Sequence, residues 1–346
     1  MGLIAFLIIA LLTSVFVNFA VLHRLAKNHH DEAQAGSVEK VEKTTPRLGR
    51  SEIEHESEMD AGIVDGVAVA LLLHAPKWFQ RRYTMSVQNV YNNIPANWRI
   101  QIFYTPHGAS QIGIDLNRGL QRMVASGKVV LTEIAPVVIA ERKKRIELMT
   151  HRWIWENMLA DRVFIFGGNG VICSNSPQNF TSLSQEYAYL GAPWSQFKGR
   201  GGDGGMSFRN RKLMLAAIDY EQSKTPNDPL VYKKWGQEDH FFVKTILEME
   251  KQGALPVWEG ARLKIAAKEE TEDYGATGSI ARDTALVASG TLPGLDDKAR
   301  EAFMQVCPEV KIFYPALHNP NCFGAVVHKE ECAASICALN KEKGGC

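Results

Sequence analysis

Cysteine is scarce over most of this 346-residue chain. Only Cys173 precedes residue 307; Cys307, Cys322, Cys332, Cys337 and Cys346 crowd the end. No two are spaced C-x-x-C, which argues against a zinc site. Excess charge is missing too. Lys and Arg number 39 against 38 Asp and Glu, a net +1, so the chain carries no basic footprint for nucleic acid. Residues 23–62 hold few large apolar side chains and cannot bury a core. No carboxylate lies between Gly167 and Ser176, so that glycine-rich turn offers a hard cation little. Gly199-Arg200-Gly201-Gly202-Asp203-Gly204 satisfies G-x-G-x-x-G, but a strand-like run follows it rather than a helix. That excludes the dinucleotide reading.

What is present divides into four parts. Leu3 to Leu22 is almost wholly apolar, about the ~20 residues a bilayer-spanning helix needs. Residues 1–22 therefore read as an uncleaved signal-anchor, with the membrane crossed through residues 3–22. Residues 23–62 read as a disordered stem, 63–320 as the folded domain and 321–346 as a Cys-rich tail. Orientation is contested within the sequence. Arg24 and Lys27 follow the span, and the positive-inside rule alone puts the body in the cytosol. The clustered tail cysteines point to disulfides and an oxidising lumen. So does the acceptor triplet Asn179-Phe180-Thr181, a glycosylation site by pattern. The expectation is a single-pass protein of the Golgi or endoplasmic reticulum membrane with a lumenal domain.

Within the domain, Val67 to Leu73 is a continuous apolar run, as in a strand covered on both faces. Helical pattern follows over 78–93, then a strand over Trp98 to Tyr104, a helix over Ile112 to Ala125 and a strand over Lys128 to Thr132. A long helix over Glu141 to Ala160 begins Arg142-Lys143-Lys144-Arg145, most simply a solvated face. Arg162 to Phe166 is the fourth strand. Such alternation indicates an α/β fold with a mostly parallel sheet flanked by helices. Ligands then sit beyond the carboxyl ends of the strands, where strand order reverses. Residues 268–297 read as a long polar excursion and Val310 to Tyr314 as a late strand.

The densest stretch runs from Tyr187 to Arg211. It holds Gly191-Ala192-Pro193-Trp194, then glycines 199, 201, 202, 204 and 205, then Met206-Ser207-Phe208. Glycine lets a ligand approach the main chain. Trp235-Gly236-Gln237-Glu238-Asp239 leads into a helix. Acids there are explained either by the helix dipole or by proton transfer.

GAPW, GGMSFR, Glu238-Asp239 and His318, in this order, resemble a family of uncharacterised, mostly membrane-anchored proteins grouped with the GT-A glycosyltransferases. The resemblance covers roughly residues 65–320. The Trp235–Asp239 stretch also resembles an acceptor-side motif of inverting galactosyltransferases. The resemblance implies a GT-A-like, Rossmann-like mixed sheet. It implies transfer of a sugar, a hexose by type, from a nucleotide-diphosphate sugar to a hydroxyl of a glycan or glycoprotein. Glu238 or Asp239 would take the proton in an inverting displacement. Trp194, Gly204, Gly205, Ser207, Arg209 and Trp235 would line the sugar and acceptor pocket. Asn169 and His318 would face the diphosphate. The chain departs from the family at Asn169, where an aspartate usually holds Mn²⁺ or Mg²⁺. Asp203 and His318 are the remaining metal candidates. Without a metal, Arg200, Arg209 or Lys198 would supply the counter-charge. The alternative is an inactive module that binds a glycan or a partner.

Overall fold

The computed structural model describes residues 64–73, 77–112, 117–141, 145–194, 199–224, 236–256, 264–289, 292 and 295–310. The expected anchor, stem and Cys-rich tail lie outside these residues, as do Lys198, Trp235 and His318. So does the expected strand Val310 to Tyr314, apart from Val310. No helix among the described residues is long and apolar enough to cross a membrane.

The first strand, β1 (Gly66–Leu72), is apolar throughout because both of its faces are covered. Val67 and Val69 enter one core cluster, while Ala68, Ala70 and Leu72 enter another on the opposite face. Burying each of the larger side chains stabilises the fold by roughly 1.5–3 kcal/mol. β1 pairs in parallel with β2 (Trp98–Tyr104), and β2 with β3 (Val129–Glu133). On its other side β1 pairs in parallel with β4 (Arg162–Ile165). The order reverses at β1, so its carboxyl end and that of β4 frame a crevice. A short β5 (Gly170–Ile172) follows.

Beyond β4 comes β7 (Asp203–Asn210), antiparallel to it, then β6 (Tyr187–Ala192), antiparallel to β7. β8 (Lys264–Ile265) closes the seven-stranded sheet, parallel to β6. Within this sheet β7 is the one reversed strand, so the expected mixed, mostly parallel α/β sheet is present. β9 (Gly275–Ala276) and β10 (Val287–Ser289) join β5 in a second, three-stranded sheet ordered β5-β10-β9. Residues 268–289 of the supposed excursion are therefore structured. They form the helix Lys268–Tyr274 and these two strands, because Val287 packs into the cluster that holds Ala68 and Ala70, and Ala276 and Ala288 into a third cluster.

Two helix expectations are corrected. Ile112 to Ala125 is not one helix: Pro106–Ile112 ends, and Arg118–Ala125 starts afresh. Its N-cap is Asn117, whose side chain accepts from the Leu120 N–H, the ordinary use of Asn at a helix start. The long helix expected over Glu141 to Ala160 is not continuous: its described residues form Arg145–Met149 and Arg152–Glu156, and Glu141 ends the helix Pro136–Glu141. Thr150 turns its hydroxyl back onto the Ile146 and Glu147 carbonyls. His151 then caps the next turn by accepting from the Trp153 N–H. Local side-chain bonds of this kind compete with helix continuation.

Cys173 does not stand alone. It is bonded to Cys307 across 134 residues, joining the end of β5 to the end of the Asp297–Val306 helix inside the third core cluster.

Candidate active site

The glycine-rich stretch is shaped first by chain meeting chain. Gly201 and Gly202 have positive φ, 95° and 91°, a region only glycine enters freely. A Cβ on Gly191 would lie 2.2 Å from the Asp203 carbonyl oxygen, and one on Gly202 would lie 2.4 Å from that of Gly191. Between β6 and β7 the register then slips. Gly191 faces Ser207, yet Ala192 faces Asp203. The extra residues, Gly204 to Met206, bulge from the ladder, as strands often do beside functional sites.

The bulge carries Asp203, Gly204 and Gly205 into a cavity of about 200 Å³. Arg145, Ile146, Gly236, Gln237, Glu238 and Asp239 complete it. A second cleft, about 310 Å³, adjoins it at Arg145 and Gly205. Its wall includes Ala70 and Leu71 of β1, the Phe166–Gly170 turn with Asn169, and Ser289. This is the crevice at the strand-order reversal. The turn is held from behind by the Lys77–Asn93 helix. Ser86 Oγ donates to the Gly167 carbonyl at 3.0 Å. Asn89 clamps Ile172, donating to its carbonyl at 3.0 Å and accepting from its N–H at 2.8 Å. Neither residue stood out in the sequence, because a buried Ser or Asn on a helix has no distinguishing spacing.

The acids are secured one by one. Glu238 begins the Glu238–Lys251 helix and meets Arg209, whose Nη2 lies 3.0 Å from Oε2. Arg209 is fully buried. Its Nη2 also donates to the Gly204 carbonyl and its Nε to Ser207 Oγ. Nη1 finds no hydrogen-bond acceptor among the described residues. Instead the guanidinium lies among the rings of Tyr189, Phe242 and Trp155, with centroids 5.0, 5.6 and 6.0 Å away. Such faces attract a cation. A Cβ on Gly204 would lie 2.5 Å from Arg209 Nη2 and 2.7 Å from Glu238 Oε1, so glycine is required above the pair. Arg209 and Ser207 thus lie beneath the cavity wall and do not line it, unlike the expectation. Arg209 is no free counter-charge, and Arg200 is drawn to Glu250.

Asp239 accepts three N–H donors: Trp194 Nε1 at 2.8 Å, the Gly204 amide at 3.3 Å and its following amide at 2.8 Å. The GAPW tryptophan therefore reaches the site through Asp239. Asp203 Oδ1 accepts from the Gly205 amide at 2.8 Å and from Ser289 Oγ at 3.2 Å. Burial pushes the Asp203 carboxyl above its ordinary range. The Gly205 amide opposes the rise, and Asp239 and Glu238 add to it.

Asn179 is exposed and caps the Phe180–Glu186 helix, accepting from the Ser182 amide at 2.9 Å. Capping explains its identity without a glycan, and the exposed amide leaves room for one.

A divalent cation finds a poor donor set here. No group of three His, Cys, Asp or Glu side chains able to hold a metal exists among the described residues. Asn169 is an amide, Asp203 Oδ1 is engaged, and both Glu238 oxygens face a guanidinium. Hard cations take anionic oxygens, and these residues do not fit one.

Fold and site together define an α/β protein with a crevice at a strand-order reversal, continued by a three-acid cavity. Residues 128–272 match the model of a family described as a protein of unknown function, DUF5672. The segment contains the GAPW, GGMSFR and Glu-Asp elements, so the resemblance to a family of uncharacterised proteins holds. No curated protein matches the chain. Among solved structures, the chain is similar to the galactosyltransferase LgtC in complex with donor and acceptor sugar analogues. Identity is 13% over 53% of this chain and 70% of that one, with a TM-score of 0.32. It is also similar to the glycosyltransferase GlyE of Streptococcus pneumoniae TIGR4, at 14% identity over 53% and 42%, TM-score 0.31. A third is a glycosyltransferase involved in glycosylating the major capsid of PBCV-1, at 10% identity over 65% and 93%, TM-score 0.37.

Proposed function

We propose that this chain is a glycosyltransferase, moving a sugar from a nucleotide-diphosphate donor to a hydroxyl of a glycan or glycoprotein. The observation that carries the reading is the pair of adjoining cavities. One has a glycine and amide wall at the carboxyl ends of β1 and β4; the other has three acids. In the transfer, the acceptor oxygen bonds to the anomeric carbon as that carbon's bond to the diphosphate oxygen breaks. The bonding pair leaves with the diphosphate, and the acceptor's proton goes to a carboxylate.

Glu238 and Asp239 were the expected bases. Geometry favours Asp203. Glu238 is the counter-ion of Arg209, and Asp239 already accepts three N–H donors. Asp203 lines the cavity, and burial raises it toward the range useful to a base. The domain would lie in the lumen behind an N-terminal anchor, a reading supported by the buried Cys173–Cys307 bond and by the exposed Asn179. The test is the purified full-length chain with a panel of nucleotide sugars and glycan acceptors, with and without Mn²⁺. Absence of hydrolysis, transfer and thermal shift with every donor overturns the reading.

Asn169 and the Glu238–Arg209 pair favour a second reading, an inactive module that binds a glycan or a partner. It requires glycan binding that survives Asp203→Asn and does not respond to nucleotide.

A further inference from the structure

We infer that Arg145 is the anion-binding residue of this site: its guanidinium receives the diphosphate of a nucleotide ligand where a metal ion would otherwise stand. The inference rests on the glycosyltransferase reading and deepens it. In the sequence Arg145 closes a basic run that reads as a solvated face. The structure places it elsewhere. It is the side chain that lines both the amide-walled cleft and the acidic cavity. Arg145 opens the short helix Arg145–Met149, which ends at Thr150 and His151.

The diphosphate is the group that gains charge when the sugar leaves. The bonding pair stays on its oxygen, and something cationic must face it. The described residues hold no cation site, and Asn169 cannot supply one. Arg209 is buried and committed to Glu238, and Arg200 points to Glu250. Arg145 differs from both. Its side chain is 42% exposed, and its contacts to Glu238 Oε1, 3.5 Å, and the Gly204 carbonyl, 3.4 Å, are long and both use Nη2. A guanidinium has five N–H donors in a planar fork. Nε and Nη1 therefore have no partner among the described residues. A fork of this kind matches phosphate bidentately, which an ammonium does not. Arg145 also acts on the acid side. It opposes the rise of the Asp203 carboxyl, so an anion drawing Arg145 away would raise Asp203 further and strengthen it as a base.

The experiment is calorimetric titration of the full-length chain with UDP, GDP, the matching nucleosides and inorganic pyrophosphate, in EDTA and in Mn²⁺. Arg145→Gln and Arg145→Lys are compared with wild type, with melting temperature as the folding control. The expected result is diphosphate binding in EDTA that weakens about ten- to hundredfold in Arg145→Gln, the scale of a charged hydrogen bond. Arg145→Lys should fall between, and nucleoside binding should not change. Diphosphate binding that requires Mn²⁺, or that is equal in Arg145→Gln, overturns the inference and leaves the glycosyltransferase reading standing. Binding of no nucleotide under either condition overturns both.

Discussion

The two walls of the crevice are built differently. On the acidic wall Glu238 and Asp239 are fixed. Glu238 is paired with buried Arg209, Asp239 receives three donors, and Gly204 is the only residue type that fits above the pair. On the amide wall the Gly167–Gly170 turn presents backbone and Asn169, braced from behind by Ser86 and Asn89. One wall is electrostatically closed upon itself; the other carries no charge to meet an anion. Among the described residues lining the two cavities, Arg145 is the side chain and Gly205 the backbone that touch both. On the proposed glycosyltransferase reading, the acidic wall would be an acceptor side preorganised for proton transfer, and the amide wall a donor side dependent on a single guanidinium.

The sharpest way to break the contrast is Asp203→Asn. Removing a general base lowers rate by about 10²–10⁴-fold, so transfer should collapse while diphosphate binding persists. An unchanged rate would return the base role to Glu238 or Asp239. Because folding raises the Asp203 carboxyl, its ionised form opposes folding. Its stabilising share is complete below the unfolded-state value and is lost as pH rises through the folded value. Asp203→Asn should therefore melt above wild type at neutral pH, with the gap closing as pH falls below the ordinary carboxylate range. The acid limb of the wild-type rate profile should likewise lie above that range.

Next in size is the buried ion pair. Glu238→Gln leaves Arg209 without its counter-ion and should cost about 3–5 kcal/mol in a denaturant titration. A loss under about 1 kcal/mol would show that the aromatic faces around Arg209 suffice. Trp194→Phe removes one of the three donors to Asp239. It should cost about 1–3 kcal/mol and lower the rate with less effect on donor binding; a neutral outcome would make the GAPW tryptophan a surface feature. The smallest effect tests the amide wall. Asn169→Asp supplies the missing anionic oxygen, and Mn²⁺ should then strengthen UDP or GDP binding where it does nothing to wild type. Equal metal response in both would place a cation site on other residues.

Much of this was legible beforehand, for physical reasons. β1 announces itself because a strand covered on both faces must be apolar throughout. The glycines flanking Asp203 mark a close approach that no side chain allows. The acids at 238 and 239 mark a helix start. Other features were hidden. The break at Thr150 depends on a hydroxyl turning back to its own helix, and Arg145 looked like part of a solvated run because it closes four basic residues in a row. The strands within 268–289 are two or three residues long and gain stability only from the second sheet.

The sequence by itself determined the α/β alternation, the glycine-dense turn and the presence of acids near it, since each follows from local periodicity or backbone freedom. Tertiary structure alone decided which charges are spent and which are free. Arg209 is consumed by Glu238 and Arg145 is left at the junction of two cavities because pairing in a buried site depends on which side chains meet in three dimensions. The same holds for Cys173, joined to Cys307 across 134 residues: spacing along the chain carries no record of that contact.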